Sequence, residues 1–375
     1  MSSDRPAVFR RARLTTGAFL GLWLSGTVVA APGALLPQWT AAFGGELNLG
    51  TFYAMQFLGL LLGIFLSSRQ PARQPTFGTA LILMMLGLVA AVVVPTAAVV
   101  TLTSLLLGLG KGTVDVQGNS LTGELHPQRR VVMVNWANAA FGLGAVMTPL
   151  LASLLPWQAV YLLIGAVALL TASLTLDAPA TQAGPETAAG RGTTAPMRTR
   201  WPEWKLTVLL MAAIAFHSGL EGALATWSGT ALALREQLGQ GALLTFYWLG
   251  LTIGRLALAS WVARAPTARL RLLVMVTVLT TALYFIGPLS MGWPLLGVLL
   301  GPVFGTLFAL AQERAGSALV APVMYAAALG GTLLPGALGG VPPWGLALGF
   351  ALFALAQWWA VHSVTLQFSQ NRMSS

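Results

Sequence analysis

The chain has no cysteine, which excludes disulfides, thiol chemistry and cysteine-held metals. Charge is nearly as scarce. Asp, Glu, Lys and Arg make up 8% of residues, against about 25% in soluble domains, too few to cover a water-facing surface. There are three histidines, His126, His217 and His362, and their separations match no metal-ligand spacing. No nucleophile–base motif, phosphate loop or metal cluster stands out, so neither enzyme chemistry nor a bound cofactor is expected. Regular apolar–polar alternation is also missing, which argues against a β-barrel.

What is abundant is apolar sequence. Hydrophobic residues form 56% of the chain, and mean hydropathy is +0.76. Runs of about 20 apolar residues recur, each long enough to cross a bilayer as a helix. Lipid offers backbone groups no partners, so these runs are expected to be helical. Apolar runs between polar breaks predict twelve spans, at 15–37, 48–67, 76–94, 97–122, 131–154, 157–176, 205–229, 242–262, 268–288, 292–312, 315–337 and 342–364. The segment 177–204 is rich in Ala, Gly, Thr and Pro and reads as a flexible linker. The expected fold is an all-α membrane protein, a monomer in the lipid bilayer. Residues 1–176 and 205–375 would form two six-helix bundles.

The net charge of +10 could suggest nucleic acid as a partner, but charge placement explains it better. With twelve spans, Arg5, Arg10, Arg11, Arg13, Arg69, Arg73, Arg129 and Arg130 fall on one side. So do Arg191, Arg198, Arg200, Lys205, Arg264, Arg269, Arg271, Arg314 and Arg372. The opposite side holds Arg235. The positive-inside rule then puts both termini in the cytoplasm of a cell with this chain in its inner membrane. Trp157, Trp293 and Trp344 fall at the predicted outer ends, where an aromatic belt is expected. Span one follows a basic stretch, yet its apolar run is longer than a signal-peptide core, so it is expected to be retained.

The halves look related. Leu58, Gly59, Leu60 and Gly63 in span two match Leu249, Gly250, Leu251 and Gly254 in span eight at one constant offset. A duplicated chain of six plus six spans points to a transporter with a site between its halves.

Several motifs carry a closer likeness. Residues 108–151 read "GLGKGTVDVQGNSLTGELHPQRRVVMVNWANAAFGLGAVMTPLL". Asp115 stands four before Asn119, a short loop runs from Glu124 to Arg130, and a Gly-rich start of span five covers Val134 to Ala145. "HSGLEGALATW" (217–227), "YWLGLTIGR" (247–255), "GPVFGTLFALAQE" (301–313) and "GGTLLPGALGG" (330–340) continue the pattern. In these the chain resembles the major facilitator superfamily, and within it the fucose–proton symporter-like group. The resemblance implies alternating access, a central cavity lined by spans one, four, seven and ten, and proton-driven sugar uptake. Two departures stand out. The basic motif after span two is reduced to Arg69 and Arg73 with no acidic neighbour in sequence, and Lys111 is not expected of the group.

Charges inside spans cost on the order of 3 kcal/mol each and call for a reason. Lys111, Asp115 and Asn119 are spaced i, i+4, i+8, one slowly drifting stripe on a helix. Asp115 suits a proton or a sugar hydroxyl, and Asn119 offers donor and acceptor. The alternative is a structural Lys111–Asp115 ion pair. His217 and Glu221 repeat the i, i+4 spacing on span seven. Glu221 has no Lys or Arg within a turn, which suits a proton-coupling carboxyl, and His217 can relay or tune it. Arg255 in span eight is expected to pair with Glu313, or with another residue near the cytoplasmic face, as a gate, with a role in the cavity as the alternative. Trp23, Gln38, Gln56, Asn135, Asn138 and Trp227 are candidate substrate contacts, with packing as the alternative. The function read from this is proton-coupled symport of a small neutral solute such as a monosaccharide. Alternatives are sodium-coupled uptake and a proton-driven exporter of hydrophobic or cationic compounds. The exporter is kept open by "FGLGAVMTP" (141–149), a partial match to an antiporter motif.

Overall fold

The computed structural model describes residues 5–69, 72–181, 204–236, 240–283 and 292–373. Most of the 177–204 linker, with Arg191, Arg198 and Arg200, lies outside the described residues. So do the side chains of Arg235 and Trp293. Twelve helices among the described residues are long and apolar enough to cross a membrane. They are α1 (Arg5–Phe43), α2 (Leu49–Arg69), α3 (Thr76–Val93), α4 (Ala97–Leu125), α5 (Arg130–Leu154) and α6 (Trp157–Leu174). After the linker come α7 (Trp204–Glu236), α8 (Gln240–Ala257, continued by Ala259–Arg264), α9 (Pro266–Leu283), α10 (Gly292–Ala315), α11 (Val320–Ala337) and α12 (Pro343–Met373).

Helix ends follow local chemistry. Thr96 caps α4, its hydroxyl accepting from the Val99 N–H at 3.3 Å. Gly44 ends α1 at φ 58°, a left-handed position that glycine takes without a Cβ clash. The helix α1 runs well past the predicted 15–37 at both ends. Pro32 and Pro37 lie inside it. Pro32 leaves the Val28 carbonyl, four residues earlier, without its helical donor. The Gln56 amide of α2 donates to that carbonyl at 3.3 Å.

Contacts divide the chain into two units. The first holds α1–α4, α6 and α5 from Ala140 onward; the second holds residues 131–139 of α5 with α7–α12. Each unit uses glycine to bring backbones together. In the first, a Cβ at Gly59 would lie 2.0 Å from the Leu105 carbonyl, and one at Gly108 would lie 1.9 Å from the Gln56 carbonyl. That locks α2 against α4. In the second, a Cβ at Gly254 would lie 2.2 Å from the Val298 carbonyl, and one at Gly301 2.6 Å from that of Leu251. That locks α8 against α10. Gly63 and Gly254, equivalent under the sequence offset, both sit at these crossings, as a duplicated pair of bundles requires.

Apolar side chains such as Leu58, Leu62, Phe65, Leu86 and Leu102 stay exposed on the helix faces. This suits a lipid surround rather than water. Trp344 is 73% exposed, consistent with an interface anchor. Trp157 departs from the expected belt. It is 4% exposed and packs edge-on against Tyr161 and Phe43 at 5.4 and 5.7 Å. Burial in the first unit, not the lipid interface, accounts for it.

Candidate functional site

Two polar clusters form, one in each unit. In the first, glycines at 108 and 112 turn one side of α4 to α2, and Gly110 admits Met84 of α3. Lys111 and Asp115 occupy the remaining sector. The Lys111 ammonium meets Asp115 Oδ2, and their side chains keep 15% and 18% exposure. Ser25 of α1 donates to Asp115 Oδ1 at 2.6 Å. The Lys111 ammonium lies 5.9 Å from the centre of the Phe141 ring on α5, a cation–π distance. Asn119 is buried, and its amide donates to the Asp115 carbonyl at 2.9 Å within the same helix. Lys111 and Asp115 are therefore an ion pair, partly open, beside a hydroxyl and an aromatic ring.

In the second unit, Glu221 is not the isolated carboxyl that its own helix suggests. Arg255 of α8 brings Nη2 to 3.4 Å from both Glu221 oxygens. The arginine is held in turn. Its Nη1 donates to the Asn138 carbonyl at 2.9 Å, and its Nε to the Gly301 carbonyl at 3.3 Å. The Gly254–Gly301 approach is what puts that carbonyl within reach. The pairing of Arg255 with Glu313 expected from sequence is thus corrected. Glu313 is exposed near the end of α10, and the carboxylate that meets Arg255 is Glu221. His217 Nε2 lies 3.3 Å from Glu221 Oε2, and His217 Nδ1 lies 3.1 Å from the Gln357 amide of α12. Tyr247 donates to the Glu221 carbonyl at 3.4 Å.

The other candidates are dispersed. The Gln38 amide is spent on the α5–α6 turn, donating to the Ala152 and Leu155 carbonyls at 2.7 and 3.0 Å and accepting from the Trp157 N–H. Gln56 serves the carbonyl freed by Pro32. Trp227 donates to the Pro335 carbonyl of α11 at 2.8 Å. Asn135 is buried beside Gly305 and donates to Thr306 at 3.3 Å. Asn138 holds Arg255 through its backbone. Trp23 is half-buried on α1, its carbonyl against Gly144. The side-chain bonds given for Gln38, Gln56, Trp227 and Asn135 go to backbone or side-chain groups of other helices and turns.

Sequence reasoning missed Ser25, Tyr247 and Gln357. Gln357, a lone amide in an apolar run, was the most visible of them. It also left Arg73 without an acidic partner. The structure supplies one from α4: buried Arg73 donates to Glu124 at 2.9 Å, to Ser120 at 3.1 Å and to the Pro179 carbonyl at 2.6 Å. Outside the spans, Arg10 and Arg13 grip Asp177. The Arg10 hydrogen bond, with Arg13 adding, holds that carboxyl below the usual carboxylate range.

A family model of the Major Facilitator Superfamily matches residues 18–340. The chain belongs to that superfamily. Solved superfamily structures share its fold at low identity. FucP in its outward conformation matches at TM-score 0.75 and 15% identity, covering 93% of this chain and 98% of that one. The human organic anion transporter MFSD10 matches at 0.70 and 18%, covering 94% and 99%. The proton:xylose symporter XylE matches at 0.70 and 12%, covering 94% and 95%. No curated protein matches the sequence. As a superfamily member the chain is a multi-pass membrane transporter and not an enzyme.

Proposed function

We propose that this transporter is a proton-coupled symporter of a small neutral solute, such as a monosaccharide, working by alternating access. The observation that carries the reading is the partly open Lys111–Asp115–Ser25 cluster beside Phe141. It offers charged, hydroxyl and aromatic groups to a polyhydroxyl solute. The fucose:proton and xylose:proton symporters that share the fold support it. On this reading Asp115, Lys111 and Asn119 meet solute. Glu221, Asp115 and His217 handle the proton, and Arg255 ties conformational change to Glu221. Both termini face the cytoplasm, the membrane is the inner one, and residues 177–204 link two bundles.

A second reading, an organic anion as solute, is favoured by one observation. The Lys111 ammonium has three donors, and one carboxylate and one ring are its partners here. An anion arriving with a proton would leave that pair electrically balanced.

Uptake into proteoliposomes separates these readings. Labelled monosaccharides and monocarboxylates are offered with an imposed pH gradient, a sodium gradient, or neither. Sugar accumulation driven by the pH gradient, and abolished in Glu221→Gln or Asp115→Asn, supports the proposal. Accumulation of carboxylates alone transfers the assignment to the anion, and sodium dependence replaces the proton. Wild-type uptake by Glu221→Gln would remove Glu221 from coupling.

A further inference from the structure

His217 is enclosed on every side the structure defines. It is 0% exposed, as is Gln357 of α12. Phe304 of α10 stacks on the ring at 6.5 Å and 27°. Glu221 Oε2 stands 3.3 Å from Nε2, with Arg255 of α8 behind it. The Gln357 amide nitrogen stands 3.1 Å from Nδ1. The helix α11 carries no charged residue.

A neutral imidazole has one N–H and one lone pair, while an amide NH2 group can only donate. With the Gln357 nitrogen on Nδ1, that ring atom must be the acceptor. The ring proton then sits on Nε2, the atom that faces Glu221. The opposite tautomer would need the amide turned to offer Oε1, and it would leave the Nε2 lone pair facing Glu221 Oε2 at 3.3 Å, two acceptors in a fully buried place.

We propose that Gln357 is a positioning residue that, opposite the Glu221 carboxylate, holds His217 as the Nε2–H tautomer with its proton toward Glu221. When the ring takes a second proton, the amide turns to present Oε1 to the new Nδ1–H. Gln357 Oε1 has no hydrogen-bond partner in the orientation seen, so the turn breaks no acceptor bond. One amide thereby serves both charge states of the ring, which neither a hydrocarbon nor a carboxylate at this position can do. The link to transport rests on the proton-symport reading above; the tautomer does not.

The chain has three histidines in distinct settings. His126 contacts the Thr15 hydroxyl at 2.9 Å, and His362 stacks on Trp358 at 5.5 Å. Histidine-selective nitrogen NMR of the full chain in micelles can therefore resolve His217, assigned by loss of its signal in His217→Gln. The expected wild-type spectrum at alkaline pH is a single Nε2–H tautomer, and in a second, glutamine-labelled sample acidification moves the Gln357 side-chain amide signal over the same pH range as the ring. Gln357→Leu should lose the single-tautomer signal. Gln357→Glu, with an acceptor-only carboxylate, should place a proton on Nδ1. A wild-type Nδ1–H tautomer overturns the proposal whether or not any variant folds. So does a wild-type His217 signal persisting in Gln357→Leu. In proteoliposomes, Gln357→Leu should change the pH profile of gradient-driven uptake, and an unchanged profile would sever the amide from coupling. If the wild type shows no gradient-driven uptake at all, the symport reading fails while the tautomer is still decided by NMR.

Discussion

Replacing Glu124 with alanine should destabilise the first unit severely, because it strands a buried arginine. Arg73 is fully buried, and Glu124 keeps 7% side-chain exposure. Removing one member of such a pair costs about 3–5 kcal/mol, since the remaining charge is left uncompensated. Ser120 and the Pro179 carbonyl still accept from Arg73, so the lower half of that range is expected. Glu124→Gln keeps an acceptor but not the charge. Arg73 stays charged, so its bond to the glutamine oxygen is still charge-assisted, but the buried guanidinium loses its counter-ion, and glutamine should fall between alanine and wild type. Glu124→Ala combined with Arg73→Met should recover most of the loss, since a buried pair replaced by apolar side chains is often neutral. Thermal melts of purified protein in detergent read this ranking. Because the pair is buried, the ranking should survive high salt. The reasoning is refuted if Glu124→Ala melts with the wild type, or if the double variant is no more stable than the single one.

Three further expectations follow from other contacts. Gly108→Val and Gly254→Val should each lose folded protein on size-exclusion chromatography, since the added Cβ lands 1.9 and 2.2 Å from a carbonyl oxygen. Gly33→Ala, where a Cβ meets nothing within 4 Å, should be harmless, and a harmless Gly108→Val would show that the helices are not locked there. Arg255→Lys keeps a charge but loses the fork that reaches Glu221, Asn138 and Gly301 together; it should melt lower than wild type, and an unchanged melt would dissolve that network. Asp177 has a folded-state affinity for protons below its unfolded one. Its contribution is therefore present above about pH 4 and lost as pH falls through the lowered value. Both side chains are well exposed, so Asp177→Asn should cost about 0–1 kcal/mol at neutral pH. The difference should vanish in acid, and one that persists there would rule out the ion pair as its cause.

Local spacing made part of this architecture readable in advance. Apolar runs located the twelve spans because lipid forces helices, and a shared offset located Gly63 and Gly254 because close crossings tolerate no Cβ. The i, i+4 spacings of Lys111 with Asp115 and of His217 with Glu221 brought those pairs into view for the same local reason. Arg255 could not be matched to Glu221 this way, nor Arg73 to Glu124, because each pair is joined by packing between helices that no periodicity encodes. Gln56 illustrates a middle case. Pro32 announces that the Val28 carbonyl needs a donor, but not which helix supplies it. Gln38, bonded to a turn, and Trp157, buried in a core, show that polar and aromatic residues near span ends serve turns and cores as readily as solutes and interfaces.

Asp115 and Glu221 each meet a cation, and the two pairs differ in what opening them requires. Lys111 and Asp115 lie on one helix, both partly exposed, so a solute or proton can separate them by rotamer changes alone. Glu221 and Arg255 lie on different helices, and Arg255 is also fastened to α5 and α10. Neutralising Glu221 would leave a buried guanidinium without its carboxylate. That cost is relieved by moving helices rather than side chains. On the symport reading this divides the labour. The local pair exchanges ligands, and the inter-helix pair converts a proton into a rearrangement. Asp115→Asn should then weaken solute binding while the protein still cycles. Glu221→Gln should leave binding intact and stop accumulation. If instead Glu221→Gln abolishes equilibrium solute binding and Asp115→Asn does not, the division is reversed.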